Sequence, residues 1–177
     1  ETMIAANGID RQRIFITGLS AGGAMTTAML ATYPEVFAGG GIIAGLAYGT
    51  AKTVPEAFDR MRGHGAPSPR ALQNLLADAS PHQGPWPRIS IWQGSADQTV
   101  SASNADAIVA QWRDVHGLDK APTVSEKNGV RTRLAWCDKV GQTEIEMNTI
   151  AGMGHGAPIG GDGLGNAQPF MLDVGVS

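Results

Sequence analysis

The apolar residues of the chain fall into short runs, separated by segments rich in glycine and proline. Runs rich in β-branched and aromatic residues predict strands, and apolar positions three or four residues apart predict helices. The predicted strands are residues 13–17, 40–44, 88–93, 131–136 and 144–150. The predicted helices are residues 1–7, 24–33, 54–61 and 70–78, and one from Ser101 or Ser103 to about residue 116. This alternation predicts an α/β fold, with a mostly parallel sheet covered by helices on both faces.

The first of these strands leads into a turn that indicates a specific chemistry. The chain runs from the strand through Gly18-Leu19-Ser20-Ala21-Gly22 into the helix at residues 24–33. This is the pattern of a nucleophile elbow, in which a serine stands on a sharp turn between strand and helix. Because the chain has 24 glycines in 177 residues, the bare pattern arises easily by chance. The flanking strand and helix are what make Ser20 a candidate nucleophile.

The small residues beside Ser20 have separate predicted roles. Gly18 and Gly22 are expected to relieve crowding across the tight turn. The backbone N–H of Ala21, at the start of the helix, is expected to stabilise an oxyanion that develops during acyl transfer.

A serine nucleophile needs a histidine base and an acid that orients it. In this type of fold the acid precedes the histidine along the chain. Asp97 follows the strand at residues 88–93, and His155 follows the strand at residues 144–150 between two glycines. Both are therefore expected on loops past the carboxyl ends of strands. The alternative for Asp97 is a loop aspartate that caps the next helix or is solvated.

The chain has three other histidines. His64 and His82 lie between Ser20 and Asp97, which breaks the expected order, and His116 is interpreted as a helix C-terminal charge partner or surface residue. His155 is therefore the predicted base, which takes the serine proton and returns it to the departing alcohol. This chemistry requires no metal and no organic cofactor.

Composition and charge narrow the class of protein. A hydrophobic content of 42% with 16% charged residues is typical of a globular domain. The net charge of −3 and the pI of about 5.7 predict neither a nucleic-acid partner nor a membrane surface. The single cysteine, Cys137, excludes an internal disulfide and cysteine-based metal sites. It is interpreted as a free, half-buried thiol.

Five segments together resemble a known family. They are GLSAGGAM at 18–25, ATYPEVFA at 31–38, AGLAYG at 44–49, SIWQGSADQTV at 90–100 and GMGHG at 152–156. The set is similar to the poly(3-hydroxybutyrate) depolymerase-type esterases, which are related to the feruloyl and acetylxylan esterases of carbohydrate esterase family 1. The resemblance implies an α/β-hydrolase fold and a triad at Ser20, Asp97 and His155. It also implies a bacterial protein that is secreted or periplasmic.

The chain departs from the family pattern at its ends. Members of the family have several strands before the elbow, including a loop that supplies a second oxyanion-hole N–H, and a helix after the last residues present here. Residues 1–177 are therefore expected to be the C-terminal part of a single α/β-hydrolase catalytic domain, with its N-terminal strands absent from this chain. An unpaired sheet edge would then favour self-association.

The expected activity is hydrolysis of a carboxylic ester, either a polyester or hydroxybutyrate oligomer or a feruloyl or acetyl ester. The alternatives are an acyltransferase or peptidase with the same triad, and a non-catalytic fragment of the hydrolase fold. Leu46, Tyr48 and Met153 are predicted substrate contacts, with ordinary packing as their alternative. Trp86 is interpreted as a packing residue rather than a platform for polymer. The glycine-rich residues 160–166 are interpreted as a surface loop rather than a calcium-binding repeat.

Overall fold

A computed structural model describes residues 2–160 and 170–174 of the chain. Its helices are α1 (Thr2–Asn7), α2 (Ala21–Thr32), α3 (Val54–Met61), α4 (Pro69–Ala77) and α5 (Ser103–Trp112), with a 3-10 turn at Arg11–Arg13. Its strands are β1 (Phe15–Leu19), β2 (Gly39–Ile43), β3 (Arg88–Gly94), β4 (Val124–Asn128), β5 (Arg131–Cys137), β6 (Thr143–Ile150), β7 (Ala157–Ile159) and β8 (Met171–Asp173).

Six of the strands form one sheet in the order β1-β2-β3-β6-β5-β4. Strands β1, β2, β3 and β6 are parallel to one another, and the hairpin of β4 and β5 adds two antiparallel strands. Strands β7 and β8 form a separate parallel pair. The predicted α/β architecture with a mostly parallel sheet is confirmed. Strand β1 is an edge of the sheet in the described part of the chain.

The hydrophobic core lies on one face of this sheet. Alternate residues of the strands, such as Ile42, Ile91 and Ile145, are buried there against α2, α4 and α5. The opposite face carries a polar network, in which Glu146 accepts hydrogen bonds from Ser90 (2.6 Å) and Arg133 (2.9 Å). Helices α2, α4 and α5 contribute the helical side chains of this core. The alternation of apolar and polar side chains along the strands separates this apolar face from the polar one.

Two predicted helix features differ from the structure. The helix that was expected to reach residue 116 ends at Trp112, and its N-cap is Ala102 rather than Ser101 or Ser103. The hydroxyl groups of these two serines bond to each other instead, at 2.9 Å. None of the helices in the described ranges has the length and apolar character needed to cross a bilayer.

Candidate active site

The carboxyl ends of the four parallel strands meet at one edge of the sheet. Ser20 directly follows β1, Asp97 lies in the turn after β3, and His155 lies in the loop after β6. Strand β2 separates β1 from β3, and β6 is the next neighbour of β3. The topology therefore brings all three predicted catalytic residues to the same edge, as expected for sites on parallel sheets.

Ser20 has a backbone conformation that is rare for a residue with a side chain. Its φ is 59° and its ψ is −117°, whereas α-helix and strand residues have negative φ. The turn is held by a hydrogen bond from the Ser20 N–H to the carbonyl of Ile43 at 2.9 Å. Backbone strain at an ordered position is typical of functional sites.

Gly18 and Gly22 of the elbow differ in the space that is available for a side chain. A Cβ on Gly18 would lie 2.3 Å from the carbonyl carbon and oxygen of Gly22, so no side chain fits at residue 18. A Cβ on Gly22 would meet no atom within 4 Å. The expectation that both glycines relieve crowding is therefore correct for Gly18. It is wrong for Gly22, where a Cβ would have open space. What the turn needs at Gly22 is a close approach of its backbone to Gly18.

Ala21 is the first residue of α2. The first N–H groups of a helix have no acceptor within the helix, and the helix dipole is positive at this end. The N–H of Ala21 therefore lies next to Ser20 in a position suited to an oxyanion.

The carboxylate of Asp97 is fully buried and accepts hydrogen bonds at both oxygens. Oδ1 accepts from the N–H groups of Thr99 and Val100, each at 2.8 Å. Oδ2 faces the His155 Nδ1 at 2.8 Å and accepts from the Gln93 side-chain amide at 3.2 Å. These contacts fix the carboxylate in one orientation.

The ring of His155 is 13% exposed. Because its Nδ1 is paired with Asp97, its other nitrogen, Nε2, is the one available as a proton acceptor. The edge of the ring contacts the Phe170 ring, with centroids 6.3 Å apart and planes at 79°. Carboxylate and aromatic ring together hold the imidazole in place.

The loops that carry Asp97 and His155 are also hydrogen-bonded to each other. The Ala96 N–H donates to the carbonyl of Met153 at 3.0 Å, and the Gly152 N–H donates to the Ser95 hydroxyl at 2.9 Å. A Cβ on Gly94 would lie 2.2 Å from the Met153 carbonyl, so this close approach requires glycine. These contacts hold the loops of Asp97 and His155 in a fixed position relative to each other.

The structure brings Asp97 and His155 into direct contact, and Ser20 to the same edge of the sheet. Within residues 2–160 and 170–174, no hydrogen bond joins Ser20 to His155. Catalytic hydrogen bonds are often long in ligand-free enzymes and shorten when substrate binds.

An apolar cavity of about 380 Å³ opens beside Ser20. It lies between the start of α2, helix α3 and the loop after β2, and it is lined by small and aliphatic side chains. The lining includes Ala24, Ala44, Leu46, Met61 and Val100.

The three predicted substrate contacts have different surroundings. Leu46 lines the cavity beside Ser20. Tyr48 packs against the core, and Gln111 bonds to both its N–H (2.8 Å) and its carbonyl (2.9 Å). Met153 is buried, with 3% of the residue exposed. Of the three, Leu46 alone is among the residues that line the cavity.

The structure corrects the interpretation of His116. Its side chain is 5% exposed and lies 3.7 Å from a Glu144 carboxylate oxygen, so it is not a surface residue. Burial lowers the pKa of His116 to about 4.

Cys137 is a free, half-buried thiol as predicted, with its sulfur 3.6 Å from the Thr143 hydroxyl. Trp86 packs edge-on against Trp112, with ring centroids 6.1 Å apart, which confirms it as a packing residue.

In the described part of the chain, no group of three His, Cys, Asp or Glu side chains is placed to hold a metal ion. Of the glycine-rich segment at 160–166, residues 161–166 lie outside the described residues.

Sequence reasoning missed two side chains that contact the acid and the histidine. Gln93 bonds to Asp97, and Phe170 contacts His155. A signal for Gln93 was present, because residues 89, 91 and 93 alternate onto the core face of β3 and only Gln93 is polar. A polar residue at such a position needs buried partners.

Comparison with known proteins relates the chain to ester hydrolases. The family model described as esterase PHB depolymerase matches residues 1–134. The chain is 41% identical to poly(3-hydroxyalkanoate) depolymerase C of Paucimonas lemoignei, over 99% of this chain and 44% of the relative. It is 32% identical to an acetylxylan esterase of Coprinopsis cinerea, over 86% of this chain and 42% of the relative. The chain thus spans about half the length of the curated relatives it matches.

Solved structures agree with this relationship. An acetyl xylan esterase from Aspergillus awamori superposes with a TM-score of 0.77 at 28% identity, over 86% of this chain and 58% of the other. A PHB depolymerase from Penicillium funiculosum has the same fold, with a TM-score of 0.67 at 20% identity, over 95% of this chain and 49% of the other. The fold is therefore that of the α/β-hydrolase esterases, and the chain belongs to the esterase PHB depolymerase family.

Proposed function

We propose that this chain carries the nucleophile, base and acid of a serine carboxylic-ester hydrolase. The observation that supports this most strongly is the buried pair of Asp97 and His155, 2.8 Å apart, at the sheet edge where Ser20 stands on a strained turn. Ser20 is the proposed nucleophile, His155 the base and Asp97 the acid.

The reaction proceeds through an acyl-enzyme. The Ser20 hydroxyl oxygen forms a bond to the ester carbonyl carbon while its proton passes to Nε2 of His155. The Ala21 N–H donates to the resulting oxyanion. When the ester bond breaks, the imidazolium returns the proton to the departing alcohol. Water then attacks the acyl-enzyme by the same proton transfers, which releases the acid and restores the serine.

Asp97 acts through the ring and does not itself take the proton. Its Oδ2 holds the Nδ1 proton of His155 and stabilises the imidazolium that forms in each step. Since Oδ1 is already bound by two backbone N–H groups, the carboxylate has no freedom to turn away from the ring. This preorganisation lowers the barrier because no dipole has to reorient during proton transfer.

The cavity beside Ser20 supports a small aliphatic acyl group as the part of the substrate bound there. Its lining is composed of alanine, leucine, methionine and valine side chains together with Ser20. Such a surface binds methyl and methylene groups by excluding water. Acetyl and 3-hydroxyalkanoyl groups fit this description, and the relatives are named for acetylxylan and poly(3-hydroxyalkanoate). A secreted or periplasmic location stays a prediction.

The proposal is tested with the full-length protein, using p-nitrophenyl acetate and butyrate. Ser20→Ala is expected to abolish release of p-nitrophenol. Ser125→Ala, at an exposed position on β4, is the matched control and is expected to keep full activity. Unchanged turnover in Ser20→Ala would overturn the assignment. Product analysis with an added alcohol separates hydrolysis from acyl transfer to the alcohol.

A further inference from the structure

Gln93 is a fully buried polar residue near the end of β3. Its side chain faces the core, and only 2% of the residue is exposed. The two preceding core-facing residues of the strand, Ile89 and Ile91, are apolar. Burying an amide at such a position costs free energy unless its hydrogen bonds are made inside the protein.

The amide nitrogen of Gln93 has its partners within the turn that carries Asp97. Nε2 donates to the carbonyl of Val100 at 3.0 Å, to Oδ2 of Asp97 at 3.2 Å and, more weakly, to the carbonyl of Gly94 at 3.4 Å. One side-chain amide thus bonds to Gly94, Asp97 and Val100, which span the whole turn.

The bond to Asp97 reaches the same oxygen that faces the histidine. Oδ2 has His155 Nδ1 on one side and the Gln93 amide on the other. Two donors at one oxygen fix its direction in space. An added neutral donor also withdraws electron density from Oδ2, which favours retention of the shared proton by the histidine ring.

We propose that Gln93 is a positioning residue for the reaction. Its amide holds the carboxylate of Asp97 in the orientation in which Oδ2 accepts from His155 Nδ1. The inference rests on the proposed function, but it concerns a contact that is measurable without turnover. Gln93 acts through Asp97 and does not touch the reacting atoms.

A second buried glutamine provides a matched control. Gln111 is also fully buried, and its amide nitrogen donates to the carbonyls of Tyr48 (2.9 Å) and Leu72 (3.1 Å). It joins the loop after β2 to helix α4, and it has no hydrogen bond to Asp97 or His155. Loss of either amide therefore removes buried hydrogen bonds to backbone carbonyls, which has a similar structural cost in the two variants.

The test compares Gln93→Met with Gln111→Met in the whole protein. Gln93→Met is expected to lower kcat by about 10–100-fold, the range known for outer-shell partners that orient metal-ligating side chains, with a much smaller change in KM. It is also expected to move the pH profile of kcat/KM, whereas Gln111→Met leaves that profile in place. If Gln93→Met does not fold, Gln93→Asn, whose shorter amide falls short of Asp97, takes its place with the same readouts.

A second readout does not depend on activity. In Ser20→Ala protein, the proton between His155 Nδ1 and Asp97 is observed directly by proton NMR. Adding Gln93→Met is expected to shift or broaden this resonance, and adding Gln111→Met is expected to leave it unchanged.

The outcomes separate the two proposals. An unshifted resonance together with unchanged kcat in Gln93→Met overturns the role of Gln93. A shifted resonance in a protein that does not hydrolyse esters leaves the positioning role standing and refutes the proposed function.

Discussion

Two buried histidines lie at opposite ends of the sheet, and their surroundings are different. His155 is at the carboxyl end of β6, where its Nδ1 lies 2.8 Å from a carboxylate oxygen of Asp97. His116 is at the amino end, where its nearest carboxylate, that of Glu144 at the start of β6, is 3.7 Å away. Both side chains are largely withdrawn from water, at 13% and 5% exposure.

The two carboxylates differ as much as the two histidines. Asp97 is held by backbone N–H groups and by the Gln93 amide, so its carboxylate has a fixed orientation beside His155. Burial and the nearby charge of Asp138 raise the pKa of Glu144, and burial lowers the pKa of His116 to about 4. Burial by itself therefore gives a histidine that resists protonation. A base that must accept a proton during catalysis needs an oriented carboxylate beside it.

The largest expected effect is the loss of activity when the carboxyl-end histidine is replaced. We expect His155→Gln to lower kcat/KM by about 10²–10⁴-fold, because a glutamine side chain cannot accept the serine proton. The same substitution at the amino end, His116→Gln, is expected to leave kcat/KM near the wild-type value. Comparable losses in the two variants would break the contrast between the two ends.

The two ends of the sheet are also expected to differ in how much a glycine-to-alanine substitution lowers the free energy of unfolding. Gly18→Ala is expected to lower the free energy of unfolding by about 3 kcal/mol or more, because the new methyl group would overlap rigid backbone of Gly22. Gly117, next to His116, has a φ of +64° but open space around its Cβ position. Gly117→Ala is therefore expected to cost only about 1–2 kcal/mol. Urea unfolding measures both, and equal costs would contradict the close packing at the elbow.

A smaller effect is expected in the pH dependence of stability. Folding lowers the pKa of His116 from 6.5 to about 4, so the unfolded chain binds a proton first as the pH falls. The stabilisation is complete above pH 6.5 and is lost as the pH falls towards 4. It amounts to about 3 kcal/mol at most. His116→Gln should flatten the stability curve over this interval, and an unchanged slope would show that His116 is not its source.

Particular residues show what could be predicted from the sequence and what could not. The parallel strands and α3 were predictable because their apolar runs have the right period and end at glycine or proline. Strand β4 was missed because its residues, VSEKN, are mostly exposed and polar, and it exists only by pairing with β5. The early end of α5 at Trp112 was missed because the next residues are equally compatible with a helix.

The candidate site divides in the same way. Ser20, Asp97 and His155 were identified because chain order and strand ends determine where such residues lie. Gln93 and Phe170 were not identified, because their contacts depend on side-chain packing between segments distant in sequence. The burial of His116 depends likewise on segments that fold against it, since its ring lies beside that of Trp112 and 3.7 Å from Glu144 at the start of β6.

The most direct test of the account is covalent labelling with a fluorophosphonate, followed by peptide mass spectrometry. We predict a single adduct on the hydroxyl oxygen of Ser20, formed at similar rates in wild-type and His116→Gln protein and far more slowly in His155→Gln. Labelling of another serine, or an undiminished rate in His155→Gln, would contradict the proposal that Ser20 is activated by the pair of Asp97 and His155.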